Sequence, residues 1–174
     1  EAAFEPLART LSRATGARIE PRITISYDHL LDAISSQEID LAVLSSYNYV
    51  RATRRGQPKL LATYTAWAKD HYEGIIIIRR DSGIESLEDL QGRRFAFVDP
   101  FSSSGYLFPR ALLIDRGLDP DRLLGPTRFL GSHPAVRQAV LDGTVDAGAI
   151  YYDPDLPADL RILARTDPIP LDAF

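Results

Sequence analysis

Short apolar runs rich in β-branched residues alternate with amphipathic segments that stop at glycine, and this alternation runs along most of the 174-residue chain. A chain with that order folds most economically as an α/β protein with mostly parallel sheets, because each helix can cover a sheet face while returning the chain to its next strand. "YEGIIIIRR" (72–80) is the clearest strand, since four consecutive isoleucines favour a buried strand over a helix. Further strands are expected at 22–26, 39–44, 59–67, 93–99, 127–131, 145–152 and 161–166. Helices are expected from Phe4 to Gly16, over Tyr27–Ile34, after Ser45 or Ser46 up to Gly56, at "SLEDLQG" (86–92), over Tyr106–Arg116 and over 132–143. Pro109 should distort the early turns of the fifth of these, because it lacks an N–H.

Composition narrows the function. Net charge is −4, so a broad electrostatic grip on nucleic acid is not expected. The chain has no cysteine, which removes disulfides, thiolate catalysis and cysteine-based zinc sites. The three histidines, His29, His71 and His133, show no H-x-x-x-H spacing, so neither a metal site nor a cofactor is expected. No purely apolar run, Ile75–Ile78 included, exceeds four residues, far too short to span a bilayer. The chain opens at Glu1 and contains no methionine, so it is expected to be processed, excised or partial, and no signal peptide is visible.

"DPFSSSGYLFP" (99–109) carries the most chemistry. It joins a strand to a helix, as does the stretch from Gly131 to Val136. In a parallel sheet such loops lie at the carboxyl edge of the strands, where ligands bind. The following helices present free N–H groups and a partial positive charge there. Ser102, Ser103 and Ser104 add hydroxyls, and Gly105 lets a ligand approach the backbone. Together these can hold an oxyanion without a cationic side chain. Hydrogen bonds to a charged partner contribute roughly 1.5–3 kcal/mol each, so four or five could reach about micromolar affinity. A plain cap serine with loop filler fits the same letters. His133 opens the second helix, whose dipole disfavours protonation and leaves a neutral imidazole with one N–H to donate. A hydrolase reading fits poorly, because "FSSSGY" lacks the G-x-S-x-G elbow, so no catalytic role is expected.

Five stretches resemble, in order, the phosphonate/phosphite solute-binding proteins of ABC importers. They are "SYDHLLDAI", "IDLAVLSSYNYV", "YEGIIIIRRDSGIESLEDLQGRRFAFVDPFSSSGYLFPRALL", "GSHPAVRQAVLDGTVDAGAIYYD" and "TDPIP". The resemblance implies a two-lobed periplasmic-binding-protein fold that closes on its ligand, with no enzymatic activity. By that analogy residues 1–66 belong to lobe 1, 67–152 form lobe 2, and 153–174 return to lobe 1. Relatives carry a further strand before the first helix and more helices after Phe174, so lobe 1 is expected to be incomplete as written. The resemblance further implies a phosphonate or phosphite held by Ser102, Ser103, Ser104 and His133, with the hydroxyls of Tyr27 and Tyr72 joining. Many relatives have threonine at the middle serine, a change that keeps the hydroxyl. Asp153 and Asp172 match the acidic positions that hold the ammonium of aminoalkyl phosphonates. The implied partner is an ABC permease and the implied compartment is periplasmic. A second reading is the extracytoplasmic sensor domain of a signalling receptor with the same fold.

Overall fold

The computed structural model describes residues 4–55, 58–65 and 69–174. In chain order these form helices α1 (Glu5–Thr15), α2 (Tyr27–Ser35) and α3 (Ser46–Thr53), then strands β1 (His71–Tyr72) and β2 (Gly74–Arg79). A 3₁₀ turn at Glu88–Leu90 leads to β3 (Phe95–Phe97), a π-helical turn (Ser103–Leu107), α4 (Phe108–Asp115) and α5 (Pro120–Leu123). The chain continues through β4 (Thr127–Phe129), α6 (His133–Leu141), β5 (Ala147–Tyr151), β6 (Leu160–Arg165) and β7 (Ile169–Pro170). Among the described residues, no helix is long and apolar enough to cross a membrane.

The centre is a five-stranded sheet in the order β4-β3-β5-β2-β6. β3 runs parallel to both β4 and β5, while β2 is antiparallel to both β5 and β6. Four strands therefore point one way and β2 alone runs against them, as the mostly parallel expectation requires. The isoleucine run shows why β2 is central. Ile76 and Ile78 pack on one face with Phe95, Phe97 and Leu113, while Ile75 and Ile77 pack on the other with Val136, Val140 and Ile150. All four isoleucines are fully buried, each contributing roughly 1.5–3 kcal/mol. A strand with helices over both faces reads as a continuous apolar run for this reason.

A separate small core joins α2 and α3 through Leu31, Leu44 and Ala52. Between it and the sheet, β1 and β7 pair antiparallel, with Tyr72 opposite Ile169. The tail then bonds across two extended segments. Leu44 and Ala173 exchange both backbone hydrogen bonds at 2.8 Å, and the Leu61 and Ala62 N–H groups donate to the Phe174 carbonyl.

Three expected strands are not formed. Residues 22–26 are irregular, and 39–44 and 59–65 contribute only single bridges at Leu44 and Thr63, both to Ala173. Their apolar letters fit a strand, but a strand exists only when a neighbour takes its ladder bonds, and the described residues supply one short tail. Residues 66 and 67 of the third segment, the lobe boundary placed at 66/67 and the helix-ending Gly56 lie outside the described residues. Within the stretch 153–174, expected to return to lobe 1, β6 lies in the central sheet beside β2, while β7 pairs with β1 outside that sheet. The capping pair of "SLEDLQG" is half realised: Asp89 accepts from the Ser86 and Glu85 N–H groups, both at 2.9 Å, and the turn it closes is 3₁₀.

Candidate ligand-binding site

The serine loop follows β3 and His133 follows β4, two adjacent parallel strands, so both junctions lie at the same carboxyl edge of the sheet. Local chemistry shapes the first junction. Asp99 accepts from the Phe101 N–H at 2.8 Å and tightens the turn. Ser102 caps the helical turn by accepting from the Gly105 N–H at 3.0 Å. The next helix was expected to begin at Tyr106 with a distortion at Pro109. It begins three residues earlier as a π-turn. The Leu107 N–H donates to Ser102 and the Phe108 N–H to Ser103, each five residues back. Pro109 cannot donate, so the Gly105 carbonyl is left for the Val98 N–H at 3.1 Å.

The three serines are buried, at 2%, 1% and 3% exposure. So much hydroxyl in the interior requires partners. Ser103 finds them on α3: its Oγ is 3.5 Å from Ser46 Oγ and accepts from the Tyr47 N–H at 3.4 Å. Both contacts are long, which leaves Ser103 able to form a shorter bond to something else. The Tyr72 phenol lies beside the Ser104 and Ser103 hydroxyls, and burial pushes it up to about 12, so it stays a neutral donor. Tyr27 is also raised, chiefly by burial and then by the nearby Asp99 and Asp172 carboxylates. Burial raises Asp172 too.

His133 is neutral, as expected. Burial takes it down to about 4, a cause the helix-dipole expectation did not include. Its Nδ1 accepts from the Tyr151 N–H at 3.1 Å, which fixes the remaining proton on Nε2. The imidazole thus offers one N–H. Ser132 caps α6 by accepting from the Ala135 N–H.

Two expected site residues are occupied otherwise. Gly105 was expected to admit a ligand to the backbone, but the space beside it is filled: an added Cβ would sit 2.4 Å from Val98 Cγ2 and 2.9 Å from Ser102 Oγ. Its bare backbone serves the turn. Asp153 pairs with Arg137 at 2.5 Å and accepts from the Asp155 N–H at 2.9 Å, so its charge already has a partner. Conversely, the sequence reading missed Ser46, Tyr47 and Asp99. "LSSYN" was read only as a helix cap, although it has the same strand-end, serine, helix pattern as the other two junctions. A groove of about 890 Å³ lies elsewhere, between α1 and the extended segments 18–24 and 38–43, and none of the site residues lines it.

A family profile described as "ABC transporter, phosphonate, periplasmic substrate-binding protein" matches residues 1–174. The chain belongs to this family. The phosphate-import protein PhnD of Mycolicibacterium smegmatis is 30% identical over 96% of this chain, and the match covers 54% of that protein. The chain thus spans about half the length of this curated relative. Solved structures show the fold. A binding-protein component of an ABC phosphonate transporter from Pseudomonas aeruginosa superposes with a TM-score of 0.87 at 24% identity, over 99% of this chain and 62% of the other. PhnD1 of Prochlorococcus marinus, solved in complex with methylphosphonate, gives 0.83 at 21% identity over 98% and 68%. The fold is that of the periplasmic binding proteins.

Proposed function

We propose that this chain is the solute-binding component of an ABC importer and that it holds a phosphonate or phosphite without transforming it. The observation that carries this reading is the run of three buried serines at the carboxyl end of β3, with Tyr72 against two of them and the first turn of α3 against the middle one. Buried serine hydroxyls, a neutral His133 and a neutral Tyr72 form a donor set without net charge. A tetrahedral oxyanion satisfies such donors by charge-assisted hydrogen bonds. Uncharged fixed donors also select by proton count, since each ligand oxygen must accept where the site donates. The membership of the family and the methylphosphonate bound to a structural relative support the same ligand class.

In this reading the sheet with its covering helices is one lobe, extending through about Arg165, and α1–α3 with the tail belong to the other. The paired β1 and β7 are the crossovers on which the lobes close. Ligand bridges α3 and the serine loop, favours the closed form, and that form docks on a membrane permease in the periplasm. Asp172, close enough to Tyr27 and Tyr72 to raise both, is the carboxylate assigned to a ligand ammonium. Asp153 reaches the ligand only if its pair with Arg137 opens.

Calorimetry on Ser103→Ala tests the reading. The variant should bind methylphosphonate or phosphite about 10- to 150-fold more weakly, from the loss of roughly 1.5–3 kcal/mol. Unchanged affinity removes the serine loop from the site.

A further inference from the structure

Beyond the ligand contacts, α3 grips the loop that carries the serines through a second set of side chains. Asn48 is fully buried, and each of its polar atoms is engaged. Its Nδ2 donates to the Phe101 carbonyl at 3.0 Å and to Ser45 Oγ at 2.8 Å, and its Oδ1 accepts from Arg51 Nη1 at 3.1 Å. Arg51 in turn donates to Asp28 Oδ1 on α2 at 2.6 Å and lays its guanidinium over the Phe101 ring, 3.5 Å from the centroid. Phe101 immediately precedes Ser102, so both its backbone and its ring are held from α3.

We infer that Asn48 and Arg51 form a clamp on Phe101 that positions the serine loop against α3 and sets how readily the protein closes, without touching the ligand. The inference rests on the reading of the site given above. The physical case is one of matching. A buried carboxamide with both ends bonded accepts only one arrangement of loop and helix, because any other leaves polar groups unpaired in the interior. A planar guanidinium over an aromatic ring adds an attraction that strengthens as water is excluded. Both contacts cross 53 and 50 residues of chain, from a helix in the small core to the edge of the sheet, so they form only when these two parts lie together. Because every contact of the clamp is made by the chain's own groups, it biases the free protein toward closure and lowers the cost that ligand must meet.

The test combines small-angle X-ray scattering of the ligand-free full chain with calorimetry and stopped-flow binding of methylphosphonate. Asn48→Ala and Phe101→Leu should enlarge the ligand-free radius of gyration. At saturation they should return it to the wild-type bound value. Affinity should drop roughly tenfold or more, chiefly through faster dissociation. Phe101→Tyr keeps the ring and the carbonyl and should behave as wild type. Arg51→Lys keeps the charge beside Asp28 but loses the planar stack, and should fall between. Ligand-free scattering identical to wild type in both Asn48→Ala and Phe101→Leu overturns the clamp, whatever the affinity. If Asn48→Ala does not fold, Phe101→Leu and Arg51→Lys decide the question alone. If wild type binds none of methylphosphonate, 2-aminoethylphosphonate and phosphite, the functional reading fails, yet the ligand-free scattering still decides whether the clamp exists.

Discussion

His133 ties the fold to the proposed site. Burial holds its imidazole neutral with an acidity near 4, against an ordinary value of 6.5. Above pH 6.5 the folded and unfolded chains both leave it unprotonated, and it adds nothing to the pH dependence. Between pH 6.5 and 4 the unfolded chain takes a proton that the native state refuses, so stability falls as pH falls, by on the order of 3 kcal/mol. Thermal melting across this window should therefore drop more steeply in the wild type than in His133→Asn. Parallel profiles would show that the ring is not held neutral by the fold. At Asp172 the prediction concerns selectivity. Asp172→Asn should weaken 2-aminoethylphosphonate while sparing methylphosphonate, measured by calorimetry on both. Equal losses would remove the ammonium role. The same contrast applied to Asp153→Asn should be smaller, because Arg137 already neutralises that carboxylate.

The β3 junction shows what an element takes from its exact letters. Its expected helix start at Tyr106 moved to Ser103 because Ser102 caps early and Pro109 withholds a donor, and a π-turn absorbs the mismatch. Gly105 is then required by packing against Val98. Gly105→Ala should cost about 1–3 kcal/mol in chemical denaturation, and Val98→Ala in the same chain should recover part of that loss. Additive losses would show that the two do not meet. The strands at 72–80, 93–99, 127–131, 145–152 and 161–166 were legible as short apolar runs, and the helices at 27–34 and 132–143 because each carries its own period and its own serine cap. The segments at 22–26, 39–44 and 59–65 were misread because strand formation depends on partners that a local window does not contain. The short β1–β7 pair escaped for the same reason, being made across almost a hundred residues of chain.

Across the whole molecule, the α/β order was readable in advance because its elements have local signatures, and the serine loop and His133 stand at two strand-to-helix junctions as expected. The engagement of α3 with the serine loop was not readable, since Asn48, Arg51 and Ser46 declare their partners only once the chain has folded. Both tyrosines were placed by resemblance, and the structure brings Tyr72 to the serines and Tyr27 near the two acidic groups Asp99 and Asp172. The proposed function rests on one physical idea, that uncharged donors, two of them at the beginnings of helices, together hold a tetrahedral partner rich in acceptors. Isothermal titration with methylphosphonate, 2-aminoethylphosphonate, phosphite, phosphate and sulfate puts that idea to its most direct trial. A phosphonate or phosphite should bind with about micromolar affinity or better, with sulfate far weaker. No heat from any phosphorus oxyanion, or sulfate binding as tightly as the best of them, would contradict it.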